Sequence, residues 1–135
     1  MTRFVITMHE AVDLIFKAIK LVKGGEVFVW RMRALRIPDL ALAIIKRYAN
    51  GKEIQTIIKG KSEGEKIYEE IMSEEEVSRA VEMENLYIIF PIVDHIQVRN
   101  KYQDAKKIEN PIIVSNMGEF LSQEEIDKLL KEEIE

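Results

Sequence analysis

The sequence predicts a small layered α/β domain with elements in the order β-α-β-α-β-α-β(β)-α. Three observations predict it. Apolar residues recur at helical spacing in stretches that begin near residues 8, 38 and 122. Short β-branched or aromatic runs separate them, at residues 2–6, 26–32, 54–58 and 86–90. Glycine, asparagine or proline closes most of these runs, at Gly24-Gly25, Asn50-Gly51 and Pro91.

Taken in order, Thr2 to Ile6 reads as a strand. Thr7-Met8-His9-Glu10 has the form of a capping box, in which the first side chain accepts a helix N–H and the glutamate reaches back. Ala11, Val12, Ile15, Phe16, Ile19 and Val22 then mark a helix over about residues 8–23. Glu26 to Met32 reads as a strand, followed by a basic cluster of Arg31, Arg33 and Arg36. That cluster reads either as a solvated strand end or as a phosphate contact. Pro38 suits a helix first turn, where its missing N–H is not needed. Leu40, Ala41, Ile44, Ile45 and Tyr48 give that helix its apolar face.

Ile54, Ile57 and Ile58 predict a buried strand, with Gly60 and Gly64 bracketing a charged loop after it. Glu65 is expected at or near a helix start, with a short helix over Lys66 to Met72. The loop reads either as an ordinary polar turn or as a place where helix N–H groups meet phosphate and a carboxylate meets sugar hydroxyls. Ser73-Glu74-Glu75-Glu76 opens another helix or polar turn. Val77 to Met83 pairs with Leu86 to Phe90 through a turn at Glu84-Asn85. Residues 91–111 show little periodicity and are expected to be a loop or arm. Ser122-Gln123-Glu124-Glu125 is a second capping box, and Ile126, Leu129 and Leu130 share one face of the helix it starts. The expected organisation is an α/β domain over 1–91, with 92–135 an arm and C-terminal helix packed on that same domain.

The 135 residues are 47% apolar and 33% charged with net charge −4, as in a globular domain that encloses one core. No run approaches the roughly 20 apolar residues of a membrane span, and a cytoplasmic location is the expectation. There is no cysteine, which excludes disulfides and thiolate chemistry. His9 and His95 lack metal-ligand spacing, so no metal is expected. The acidic total argues against nucleic acid as a partner.

Several segments together resemble the C-terminal part of the UDP-N-acetylglucosamine 4,6-dehydratases of polysaccharide biosynthesis, in the extended short-chain dehydrogenase/reductase superfamily. They are Met1-Thr2-Arg3-Phe4, Glu10-Ala11-Val12, Gly24-Gly25-Glu26-Val27-Phe28-Val29, Asp39-Leu40-Ala41, Gly64-Glu65-Lys66, Glu69-Glu70 and Ser73-Glu74-Glu75-Glu76. Tyr87, Pro91, Ser115-Asn116 and Phe120-Leu121-Ser122 continue the pattern. The match is dense from residue 1 to about 91, poor over about 92–111 and moderate beyond.

The resemblance implies the smaller, substrate-binding lobe of a two-lobed enzyme. The Rossmann-type lobe, which holds NADP and the catalytic residues, is not in this sequence. There is no G-x-x-G-x-x-G turn, and the Tyr48/Lys52 and Tyr102/Lys106 spacings straddle a helix end and an irregular stretch. No catalytic residue and no cofactor site are therefore expected here. Carried over by resemblance, Arg3 matches the arginine that reaches the nucleotide pyrophosphate, Arg31 stands near the nucleotide where relatives have lysine, and Glu65 matches the acceptor for ribose hydroxyls. Relatives read Gly-x-Arg-Pro-Gly-Glu-Lys where this chain reads Gly60-Lys61-Ser62-Glu63-Gly64-Glu65-Lys66. Ser62 thus stands at a phosphate-contacting arginine, a loss worth about 1.5–3 kcal/mol.

Met1-Thr2-Arg3-Phe4 lies inside the family pattern, as when a gene is split. The expected function is a UDP-hexosamine-binding lobe complemented by a separate Rossmann-lobe chain. The alternative is a non-enzymatic remnant or self-associating binding module, and a homo-oligomer is expected in that case.

Overall fold

The computed structural model describes residues 1–93 and 95–134. Its elements in chain order are β1 (Thr2–Val5), α1 (Met8–Leu21), β2 (Val27–Trp30), β3 (Arg33–Arg36), α2 (Ile37–Tyr48), α3 (Glu74–Ser78), β4 (Ala80–Met83), β5 (Leu86–Ile89), α4 (His95–Arg99), β6 (Lys106–Lys107) and α5 (Gln123–Ile134). They fall into two compact units that alternate along the sequence. The first takes residues 1–7, 33–69 and those from 114 onward; the second takes 8–32 and 70–113. Each unit draws on residues before and after position 91 or on several separated segments before it.

In the first unit β1 pairs antiparallel with β3, Thr2 opposite Arg36 and Phe4 opposite Ala34. Ala34 also bridges Phe120 in parallel, and its carbonyl accepts the Leu121 N–H at 2.9 Å. α2 and α5 close over this ribbon. Leu35, Ala43, Leu121, Ile126 and Leu130 form the core, with Val5, Ile37, Leu40 and Leu129 against it. α2 carries proline in its first turn, as the sequence predicts. It ends where Asn50 and Gly51 take positive φ values of 50° and 80°. The second capping box forms: the Ser122 N–H donates to Glu125 at 2.8 Å and the Glu125 N–H donates to Ser122 Oγ at 3.3 Å. Arg33 pairs with Glu125, and Arg47 with Asp127 at 3.0 Å, both tying α5 to the rest of the unit.

The second unit is built on a four-stranded antiparallel sheet in the order β2-β5-β4-β6, with Val29, Tyr87, Glu82 and Lys106 in register across it. β5 is buried on both faces. Tyr87 and Ile89 pack with Met72, Ala80 and Ile108 on one side; Ile88 and Phe90 pack with Val81, Val98 and Tyr102 on the other. That two-sided burial explains its unbroken apolar run. The β4–β5 turn lies at Glu84-Asn85, with Glu84 at φ 53°. α3 starts at the Ser73–Glu76 capping box. α1 starts at Met8, the residue after Thr7 at which the sequence predicts its beginning. The Tyr102 hydroxyl donates to Glu26 at 2.6 Å. Burial and that carboxylate push the phenol well above its ordinary pKa. Burial alone would raise Glu26, but hydrogen bonds from Tyr102 and the Gly24 and Lys23 backbone hold its carboxyl below the usual range.

The α/β class holds, with four departures in its elements. The strand expected at Ile54 to Ile58 is absent: residues 53–60 are irregular and Ile57 and Ile58 are 76% and 89% exposed. β-Branched residues favour a strand only where a neighbour takes their backbone groups, and the unit offers none here. The helix expected over Lys66 to Met72 does not form; the run is irregular and bends at 67–68 and 71–72, and Glu65 is not at a helix start. Its backbone is used sideways, with the Ile67 carbonyl accepting from Thr2 and the Glu69 carbonyl from Ser115. β3 replaces the expected solvated strand end after residue 32, with Ala34 and Leu35 buried between exposed arginines. Residues 91–111 hold α4 and β6.

Candidate functional site

β1 places Arg3 beside the run that follows Gly64. The Arg3 Nη2 lies 3.9 Å from a Glu65 carboxylate oxygen, and its Nε lies 3.5 Å from Glu69. A third donor, Nη1, reaches the Thr2 carbonyl at 2.7 Å. One cation therefore faces two carboxylates at partial exposure, so the cluster carries net charge −1. Glu65 is fixed from the other side as well. Its Oε2 accepts the Ser62 N–H at 3.1 Å, while the Glu65 N–H donates to the Ser62 carbonyl at 3.2 Å. Gly64, at φ 78°, makes this tight reversal accessible.

Behind the cluster lies Ser115, which is fully buried. Its Oγ accepts the Glu69 N–H at 2.8 Å and lies 2.9 Å from Thr2 Oγ1. Its own N–H donates to the Glu69 carbonyl at 2.8 Å. The Phe4 N–H donates to the Glu69 side chain at 3.1 Å. Arg3 and Glu69 are thus held from neighbouring backbone on both sides.

Of the residues that the resemblance singled out, Arg3, Ser62 and Glu65 come together in the first unit. Arg31 belongs to the second unit. It pairs there with Glu82 and lines an open cleft of about 690 Å³ with Lys106, Lys107, Glu109 and Asn110. Reading the sequence did not find Glu69 as a partner of Arg3, nor Ser115 as the anchor behind it. A signal existed for the second, since Ser115 directly follows the apolar run Ile112-Ile113-Val114 and a hydroxyl carried inside by such a run is usually satisfied there. His9 lies 3.6 Å from Asp13 on α1, and the side chain of His95 falls outside the described residues. Among the described residues no group of three acidic, histidine or cysteine side chains is placed to hold a metal, and no helix is long and apolar enough to cross a membrane.

Comparison with known proteins matches residues 1–91 to the family described as polysaccharide biosynthesis protein. The chain is 37% identical over 137 residues to a protein of Methanocaldococcus jannaschii named an uncharacterized membrane protein, covering 98% of this chain and 38% of that one. It is 28% identical over 102 residues to the inverting UDP-N-acetylglucosamine 4,6-dehydratase of Campylobacter jejuni, covering 76% of this chain and 29% of that enzyme. Its fold superposes on the crystal structure of Pen from Bacillus thuringiensis with TM-score 0.81 and 29% identity, covering 98% of this chain and 37% of that one. The chain therefore spans well under half the length of these relatives, as the resemblance to one lobe of a larger protein implies. By the family match over two-thirds of its length, it belongs to the polysaccharide biosynthesis protein family.

Proposed function

We propose that this chain is a nucleotide-sugar-binding lobe whose ligand is a UDP-hexosamine, and that it takes part in 4,6-dehydration only together with a Rossmann-type lobe on a separate polypeptide. The observation that carries this reading is the pairing of Arg3 with Glu65 across 62 positions of sequence, at 3.9 Å. The two are the residues that the family resemblance assigns to pyrophosphate and ribose. A guanidinium suits phosphate because its planar donors meet two oxygens at once. A carboxylate held by the Ser62 N–H keeps lone pairs free for a ribose diol.

The arrangement also sets the ligand's task. A pyrophosphate at Arg3 must compete with Glu65 and Glu69 for the same donors. Exposed pairs of this kind are worth about 0–1 kcal/mol, less than a charge-assisted bond to phosphate. Exchange is therefore favourable but weak, and heat is expected only at millimolar ligand. NADP, which supplies hydride transfer where it is bound, does not fit here: the chain has no glycine-rich strand-to-helix turn to cradle a dinucleotide. No chemical step is assigned to these residues.

Calorimetric titration of UDP and UDP-N-acetylglucosamine tests the proposal. Heat in the expected range, lost in Arg3→Ala and in Glu65→Ala, supports it. Silence at millimolar ligand, or heat indifferent to both changes, overturns it. Dehydration of a UDP-sugar by the purified chain alone would refute the need for a second lobe. A second reading, a self-associating module without enzymatic role, is favoured by the exposed apolar side chains of α1.

A further inference from the structure

The cleft beside Arg31 lies wholly in the second unit, whereas Arg3 and Glu65 belong to the first. Its other lining residues are Glu82 on β4, Lys106 and Lys107 on β6, and Glu109 and Asn110 just beyond. β4 and β6 pair antiparallel, with Glu82 opposite Lys106. Residues 106–110 fall outside the stretch 1–91 that matches the family, where the resemblance is poor. Most of this cleft is therefore built from sequence that the family match does not account for.

The segment that carries the two lysines is pinned from beneath. Ala105 packs against the cluster that contains Phe90 and Tyr102. Ile108 is buried with Met72 and Tyr87. Further on, the Ile112 N–H donates to the Tyr87 hydroxyl at 3.4 Å, and the Ile113 carbonyl accepts the Ile71 N–H at 2.9 Å. Lys106, Lys107, Glu109 and Asn110 thus stay exposed on backbone that is fixed before, between and after them. Arg31 is fixed as well: its N–H donates to the Asn85 carbonyl at 2.9 Å, and its guanidinium is held by Glu82.

Arg31 and Glu82 answer one another, but Lys106, Lys107 and Glu109 have no ion-pair partner among the described residues. Three cations and two carboxylates leave the cleft with a charge of +1, on a chain whose net charge is −4. It therefore favours one anionic group. Lysine ammonium groups only donate, a carboxylate only accepts, and an asparagine amide does both. A bare anion would satisfy the lysines and be repelled by Glu109; a ligand that also brings hydroxyl donors satisfies both. None of the six lining residues is apolar, so there is no surface on which a nucleobase or an acyl chain would rest. The volume of about 690 Å³ suits a small organic molecule rather than a lone phosphate. We infer that this cleft binds a saccharide that carries one carboxylate or phosphate, with the anionic group at Lys106 and Lys107 and ring hydroxyls at Glu109 and Asn110.

Amide chemical shifts of the full chain test this residue by residue. Millimolar glucose 1-phosphate or glucuronic acid should move the amides of 106–110, and the two ligands separate the phosphate from the carboxylate as the anion. Glucose, which is neutral, should not move them. Lys106→Gln with Lys107→Gln should weaken the response by at least about tenfold, and 0.5 M salt should weaken it in the same direction. Glu109→Ala separates a saccharide from a simple anion. It should weaken glucose 1-phosphate by removing a hydroxyl acceptor, and strengthen inorganic phosphate by removing a repelling charge. All three side chains are exposed, and circular dichroism with melting confirms that each variant is folded.

Unmoved amides at 106–110 with both acidic sugars overturn the inference, as do shifts indifferent to the double lysine change. Inorganic phosphate that binds as well as glucose 1-phosphate, with Glu109→Ala strengthening both, leaves an anion site and overturns the saccharide. UDP that moves these amides and loses its effect with the lysines makes the cleft a nucleotide site and overturns it too. The inference stands apart from the UDP-hexosamine reading. Arg3→Ala should leave the shifts at 106–110 intact, and the double lysine change should leave the heat of UDP intact, so either can fall alone.

Discussion

Replacing Ser115 by alanine tests the frame that holds Arg3. The substitution removes one oxygen from a fully buried residue and leaves the backbone bond from its N–H to Glu69 in place. Two groups lose a partner. The Glu69 N–H, which donates to Ser115 Oγ at 2.8 Å, is left without an acceptor. A half-buried donor orphaned behind the fully buried Ser115 costs about 1–3 kcal/mol. The Thr2 hydroxyl, 2.9 Å away, loses an ordinary hydrogen bond worth about 0.5–1.5 kcal/mol. The expected destabilisation is therefore about 1.5–4.5 kcal/mol. With a urea slope of about 2 kcal/mol per molar, the unfolding midpoint falls by roughly 1–2 M. Thr2→Val made in addition should cost less than its separate effect, since the Thr2–Ser115 bond is already gone. A loss below about 0.5 kcal/mol, the level of an unremarkable surface change, would refute the reasoning. So would strict additivity of the pair. Because Ser115 also fixes the backbone around Glu69, weaker binding of UDP at Arg3 should accompany the loss of stability.

Two further outcomes follow from the first unit's core and its acid side. Ile126→Ala empties a fully buried position between α2 and α5, and should cost about 2–5 kcal/mol by calorimetric melting; a loss under about 1 kcal/mol would mean that the helices do not share this core. Glu125 is held to a pKa of about 2 by the Arg33 guanidinium and then by the Ser122 N–H and hydroxyl. Its folded value is depressed, so its contribution is complete above about pH 4.5 and is lost as the pH falls toward 2. Melting temperature should decline across that window, less steeply in Glu125→Gln; identical acid profiles for the two chains would remove Arg33–Glu125 as the cause.

What the sequence disclosed were the features that residues settle among near neighbours. The Ser122 capping box, the helix start at Ser73, the β4–β5 turn and the three long amphipathic helices are decided within a few positions, and all form. The features it hid depend on distant partners. Ile54, Ile57 and Ile58 have strand chemistry but no adjacent backbone, so propensity found nothing to act on. β3 is framed by Arg33 and Arg36, and its two buried residues adjoin rather than alternate, because Leu35 serves the helix core while Ala34 meets Phe120. β6 is too short to show any period. Arg3 and Glu65 were legible only through resemblance: no spacing rule links residues 62 apart. Glu69, which shares the Arg3 guanidinium, belongs to the resemblance without a role, and the helix expected over Lys66 to Met72 gave no reason to aim it at Arg3.

The alternation of the two units along the chain has a consequence at the ribosome. The last segment of the second unit ends at residue 113, so it is complete while the first still lacks α5. Leu35 and Ala43 emerge roughly 80 residues before Leu121, Ile126 and Leu130 that cover them, an interval of about 4–16 s at ordinary translation rates. For those seconds the nascent polypeptide presents half of a core with nothing to close it, and a holdase chaperone has its natural window there.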